Sequence, residues 1–142
     1  SALLLQTAVQ MTQPVVASPH FNVGAAYEAP MRAGLPGSIV VEFERKDPDL
    51  NINEDPAARI KFAAGSALVA PSPPKSSGII PDPENVRYLD LTKPVRFPVT
   101  VAAGATKGLS TVKATLAYFY CSKRENWCRR GTANFDLPVR LQ

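Results

Sequence analysis

Apolar residues fall along this chain in short runs broken by turn-forming clusters. SIVVEFE (Ser38 to Glu44), VRFPVTVA (Val95 to Ala102) and TVKATLAYFY (Thr111 to Tyr120) are rich in β-branched and aromatic residues and alternate in part, which predicts strands. AARIKF (Ala57 to Phe62) and ANFDLPVRL (Ala133 to Leu141) are shorter candidates. In the second, Phe135, Leu137, Val139 and Leu141 share one face at period two, and that face is expected to be buried. Fourteen prolines in 142 residues leave little room for long helices, because proline removes a backbone donor and clashes with the preceding turn. Turn signals separate the runs: Gly34-Leu-Pro-Gly37, Asp47-Pro-Asp49, Pro71 to Gly78, Pro81-Asp-Pro83 and Gly104 to Gly108. Short strands punctuated in this way predict an all-β chain folded as a two-sheet antiparallel sandwich. Pro71 to Asn85 is too proline-rich for a central strand and too long for a tight hairpin, so it is expected to form an irregular loop that covers something.

A length of 142 residues suits one domain, and a 45% hydrophobic content supplies a core that does not need disulfides to fold. Residues 1–20 are expected to be an N-terminal extension and residues 21–142 a single domain. SALLLQTAVQM is mildly apolar but has neither the basic flank nor the small-residue cleavage pattern of an intact signal peptide. No apolar run approaches the roughly 18 to 20 residues that a spanning helix needs.

The formal charge is +4, unevenly distributed. Lys107, Lys113, Lys123, Arg124, Arg129, Arg130 and Arg140 gather toward the end against only Glu125 and Asp136. No phosphate-binding glycine loop, recognition-helix pattern or RNA-binding strand accompanies them, so a solvated basic face is expected rather than a nucleic-acid site. Asp47, Asp49, Glu54 and Asp55 match no calcium loop and read as a solvated acidic loop.

Both cysteines lie in YFYCSKRENWCRR, Tyr118 to Arg130. Cys121 ends a strand, a polar excursion of six residues follows, and Cys128 leads into the next strand. In an antiparallel hairpin the two would face each other, and a disulfide is sterically feasible if their Cα atoms lie near 5 to 6 Å apart, roughly the common separation. Lys123, Arg124, Arg129 and Arg130 would favour thiolate over thiol, while Tyr118, Tyr120 and Trp127 are expected to shield the sulfurs. These residues leave three readings open: a structural disulfide, a redox-exchanging pair, or two free cysteines. Two cysteines make at most half a zinc site, and His20 is far upstream without a companion ligand, so neither a metal nor another cofactor is expected.

Two segments in this order resemble a known family. GSIVVEFE from Gly37, followed by LNINEDPAARIKF from Leu50 to Phe62, is similar to its strand, turn and following strand. FPVTV from Phe97, Gly108, AYFYC ending at Cys121, Cys128 and DLPVRL from Asp136 to Leu141 are similar to its closing hairpin. The family is the N-terminal domain of the bacterial thiol:disulfide interchange protein DsbD, with related modules attached to thioredoxin-like and NHL-propeller proteins. The resemblance implies an immunoglobulin-like sandwich in a periplasmic or extracellular setting, with Cys121 and Cys128 as the catalytic pair. It implies a partner that is a thioredoxin-like protein or an adjacent domain, and gives Pro71 to Asn85 the part of a loop capping the site. The expected function is thiol-disulfide exchange; the alternative is a non-catalytic interaction module with a purely structural disulfide.

Overall fold

Alternation is most regular in β10 (Val95–Val101), where Val95, Phe97, Val99 and Val101 are buried and the residues between them half-buried. Such a strand has one face in the core and one toward solvent. The computed structural model describes residues 14–69, 71–76, 78–81 and 86–142. The other strands are β1 (Val15–Ala17), β2 (Phe21–Tyr27), β3 (Pro36–Arg45), β4 (Leu50–Ile52), β5 (Arg59–Phe62), β6 (Leu68–Val69), β7 (Lys75–Ser76), β8 (Ile79–Pro81), β9 (Arg87–Leu89), β11 (Gly108–Ser122) and β12 (Trp127–Leu141). No helix is present among the described residues, and none is long and apolar enough to cross a membrane.

The first sheet runs β1-β2-β3-β10, with β6 and β7 both pairing the far edge of β10. The second is built on β11, which pairs β12 on one edge and, in succession, β5 and β4 on the other. All these pairings are antiparallel, and the two sheets form an immunoglobulin-like sandwich. β8 and β9 make a separate hairpin, and its Tyr88 bridges to Asn53 beside the end of β4.

The core lies between the sheets. Phe135, Leu137, Val139 and Leu141 are all buried, as their period-two spacing predicts, and face Phe21, Val23, Ile39 and Val41 in one hydrophobic cluster. Each such side chain removed from water contributes about 1.5–3 kcal/mol. At one end the cluster is aromatic: the Phe21 ring meets Tyr118 at 5.7 Å and Tyr120 at 5.2 Å, both edge-to-face.

β11 and β12 are 15 residues each and pair in register from Gly108↔Leu141 to Ser122↔Trp127. The strands therefore run past both cysteines, and the expected six-residue excursion is a turn over residues 123–126 only. Asn126 takes a left-handed φ of 57°, a conformation that asparagine tolerates better than most residues. β1 lies within the stretch expected as an extension, yet Val15, Val16 and Ala17 pair with Gly24, Val23 and Asn22. Residues 1–13 of that expected extension lie outside the described residues.

Candidate functional site

Cys121 and Cys128 are directly opposed in the β11–β12 register and joined by a disulfide. Their Cα atoms are 4.0 Å apart, closer than the 5 to 6 Å expected from the sequence. The reason is direct opposition in adjacent strands, where the close type of antiparallel pair brings Cα atoms to about 4.5 Å. Period two puts both sulfurs on the outer face of the second sheet, away from the core. The two halves of the bond are unequally covered: Cys121 is 7% exposed, whereas Cys128 is exposed. β11 is flanked at this level by both β4 and β12, while β12 is the edge of the sheet. Asn51 stands across from Cys121 on β4, and Asn53 Oδ1 is 3.4 Å from the Cys121 Sγ.

The aromatic shield expected over the sulfurs is not there. Tyr118 and Tyr120 are three and one residues from Cys121, odd separations that turn them to the opposite face, where both are buried in the core. Burial pushes the Tyr118 hydroxyl above its ordinary pKa, partly offset by a hydrogen bond with Ser18. Trp127 also lies on the core side, half-buried, with its ring 5.8 Å from Tyr120 and its Nε1 donating to Glu125 at 2.8 Å. His20, far upstream in sequence, joins this group: its ring is 5.5 Å from Trp127, and its Nε2 lies 3.4 Å from Arg129.

The cations near the cysteines divide in the same way. The Arg129 guanidinium sits 4.0 Å over the Trp127 ring, and Arg124 donates to Asp47 at 2.8 Å. Neither is beside the sulfurs. Lys123 is exposed in the turn, and Arg130 is the cation that shares the outer face with the bond, one rung along it. Asp47 and Asp49 are not the solvated loop that their composition suggests. The Asp49 carboxylate accepts hydrogen bonds from the Ser122 hydroxyl and from the Arg124 backbone N–H at 3.0 Å, so it clamps the turn at residues 123–126. The backbone N–H of Asp49 and the Arg124 side chain hold the Asp47 carboxyl below the ordinary aspartate pKa.

Of the loop expected to cap the site, residues 77 and 82–85 lie outside the described residues. β7 runs along β10 in the first sheet, and β8 and β9 bring the loop's stem beside β4. The contact from Tyr88 to Asn53 therefore ends one side chain away from Cys121. Among the described residues, no group of three or more His, Cys, Asp or Glu is placed to hold a metal ion.

No protein-family model matches the chain, and no curated protein matches its sequence. Among solved structures, the chain is similar to the GAE domain of GGA2p from Saccharomyces cerevisiae, with a TM-score of 0.52 at 14% identity, covering 89% of this chain and 97% of that one. The yeast GGA1 GAE domain aligns at a TM-score of 0.44 and 16% identity, over 85% of this chain and 96% of that one. At 14% identity the first likeness is one of fold, and it agrees with the two-sheet sandwich.

Proposed function

We propose that the protein is an extracytoplasmic thiol-disulfide exchange module in which Cys128 receives the attack and Cys121 is the leaving group. The observation that carries this reading is the unequal cover of one disulfide: an exposed cysteine at the sheet edge bonded to a buried one. A partner thiolate approaching Cys128 Sγ along the S–S axis forms a new S–S bond as the old one breaks, and the electron pair leaves on Cys121 Sγ. The partner's second thiol, as thiolate, then attacks its own sulfur in the mixed disulfide. That step releases the partner oxidised and leaves Cys121 and Cys128 as a dithiol. The reverse sequence passes the two electrons onward. A standing disulfide accords with an oxidising compartment, and the partner is a thioredoxin-like protein or an adjacent domain.

Equilibration with graded glutathione and dithiothreitol buffers, followed by alkylation and mass spectrometry, tests this. The expected reduction potential lies above about −300 mV, the range below which structural disulfides resist reduction. The transient glutathione adduct is expected on Cys128. A lower potential, or an adduct confined to Cys121, would favour the competing reading of a non-catalytic interaction module. Burial of Cys121 within a long, fully paired hairpin is the observation on that side.

A further inference from the structure

Beyond the disulfide, the outer face of the second sheet continues as a ladder of cations. Its rungs run from Cys121–Cys128 through Phe119–Arg130, Ala117–Thr132 and Thr115–Asn134 to Lys113–Asp136. β5 extends two of them, with Arg59 beside Ala117 and Lys61 beside Thr115. Rungs two residues apart are separated by about 6.8 Å, so the ladder is about 27 Å long. Arg59, Lys61 and Arg130 are exposed, and none has a carboxylate partner among the described residues. Asp136, the acidic position on these rungs, is already taken by Lys113 at 3.1 Å. The face is concave here: Pro56 and Phe119 help line a groove of about 840 Å³ that also contains the three unpaired cations.

We propose that this groove docks an acidic segment of the protein that delivers the thiol to Cys128. Asp and Glu side chains flanking the partner's reactive cysteine lie across Arg130, Arg59 and Lys61, while its thiolate meets the Cys128 sulfur one rung beyond Arg130. Like charges lined along one groove raise the local concentration of an oppositely charged ligand and speed its arrival. A polypeptide suits the groove better than a nucleic acid. The Asp136 carboxylate, on the outer face at the far end, would face the phosphates. That the segment carries the attacking thiol rests on the exchange reading above; the charge of the docked segment does not.

Three cysteine peptides of equal length, with acidic, neutral or basic flanks, are reacted with the oxidised protein, and rates are normalised to each peptide's rate with oxidised glutathione. The acidic peptide is expected to react about tenfold faster than the neutral one at low salt, with the advantage shrinking at 0.5 M salt. Arg59→Glu combined with Lys61→Glu is expected to abolish or invert that order, and the milder Arg59→Gln with Lys61→Gln to reduce it. Arg32→Glu, an exposed cation on the β2–β3 connection, keeps it. In parallel, the acidic peptide with serine in place of its cysteine is titrated onto the oxidised protein. Salt-sensitive binding of this peptide without reaction by any peptide would leave the docking inference standing and remove the exchange reading. Equal normalised rates for the three peptides, or an acidic preference unchanged by the Arg59 and Lys61 variants, overturns the docking inference. Displacement of the serine peptide by a short oligothymidylate at lower concentration overturns it in favour of nucleic acid.

Discussion

Gly131 stands directly across from Tyr118, and the space its side chain would fill is taken by the phenol ring. A Cβ at position 131 would lie 2.5 Å from Tyr118 Cζ and 2.8 Å from its Oη. The ring cannot swing aside, because Phe21 and Phe43 meet it edge-on at 5.7 and 5.3 Å and Tyr120 lies at 5.7 Å. Glycine here is a packing requirement of the aromatic end of the core. Gly131→Ala is expected to lower the unfolding free energy by about 1–3 kcal/mol, the ordinary cost of overpacking a filled core. Gly104→Ala, where an added Cβ meets nothing within 4 Å, is the comparison and should stay within about 0.5 kcal/mol. Urea unfolding of the two variants measures the difference, and equal midpoints would show that the Tyr118 ring has room to move.

The turn between β11 and β12 is held from outside its own hairpin. Asp49 accepts from Ser122 and from the Arg124 backbone, 75 residues away in sequence, and Asp47 accepts from the Arg124 guanidinium. Because the folded Asp47 pKa is lowered, its contribution to stability is fully present above the unfolded value and is lost as pH falls through the folded one. Acidification below the ordinary aspartate range should therefore lower the amide protection factors at residues 122–126, corrected for the pH dependence of intrinsic exchange, before the sandwich opens. Arg124→Gln should raise the Asp47 pKa, read by carboxyl NMR, but leave it below the ordinary value, since the Asp49 N–H bond is the larger cause. An unmoved titration would mean that the guanidinium does not hold this carboxylate. This clamp was not legible in the sequence, where two aspartates in a Pro-containing loop carry no sign of a partner so distant along the chain. The strands carrying β-branched and aromatic alternation were legible, and so was the buried face from Phe135 to Leu141. β2 was not: FNVGAAY is diluted by glycine and alanine, and its pairing with β3 defines it instead. The same parity that identified the buried face separates Tyr118 and Tyr120 from Cys121, so the shield was an error that strand geometry alone could have removed. The cation ladder needs tertiary information, because Arg59 and Lys61 join Arg130 only through the β5–β11 pairing.

The proposed exchange requires a chain that folds both with its disulfide and without it, and the sandwich has features that accord with that requirement. The bond closes a short loop, with a sequence separation of 7, so the chain-entropy estimate gives about 2.5 kcal/mol of stabilisation. That is a modest share of the roughly 5–15 kcal/mol that keeps an ordinary domain folded. Nor does the bond set the register. β11 and β12 stay paired through Lys113–Asp136 and on to Gly108–Leu141, far from the sulfurs, and their inner faces are locked in the hydrophobic cluster. At the sulfurs themselves, the Asp49 clamp holds the turn independently of the bond. Reduction, or replacement of both cysteines by alanine, is expected to leave the far-ultraviolet circular dichroism spectrum unchanged at 25 °C. The unfolding free energy is expected to fall by no more than about 2.5 kcal/mol. The local cost should appear as faster amide exchange near residues 119–130, with β3 and β10 protected as before. Global loss of the β-sheet spectrum on reduction would show the bond to be a structural requirement, and an exchange cycle through a folded dithiol would then be impossible for this chain.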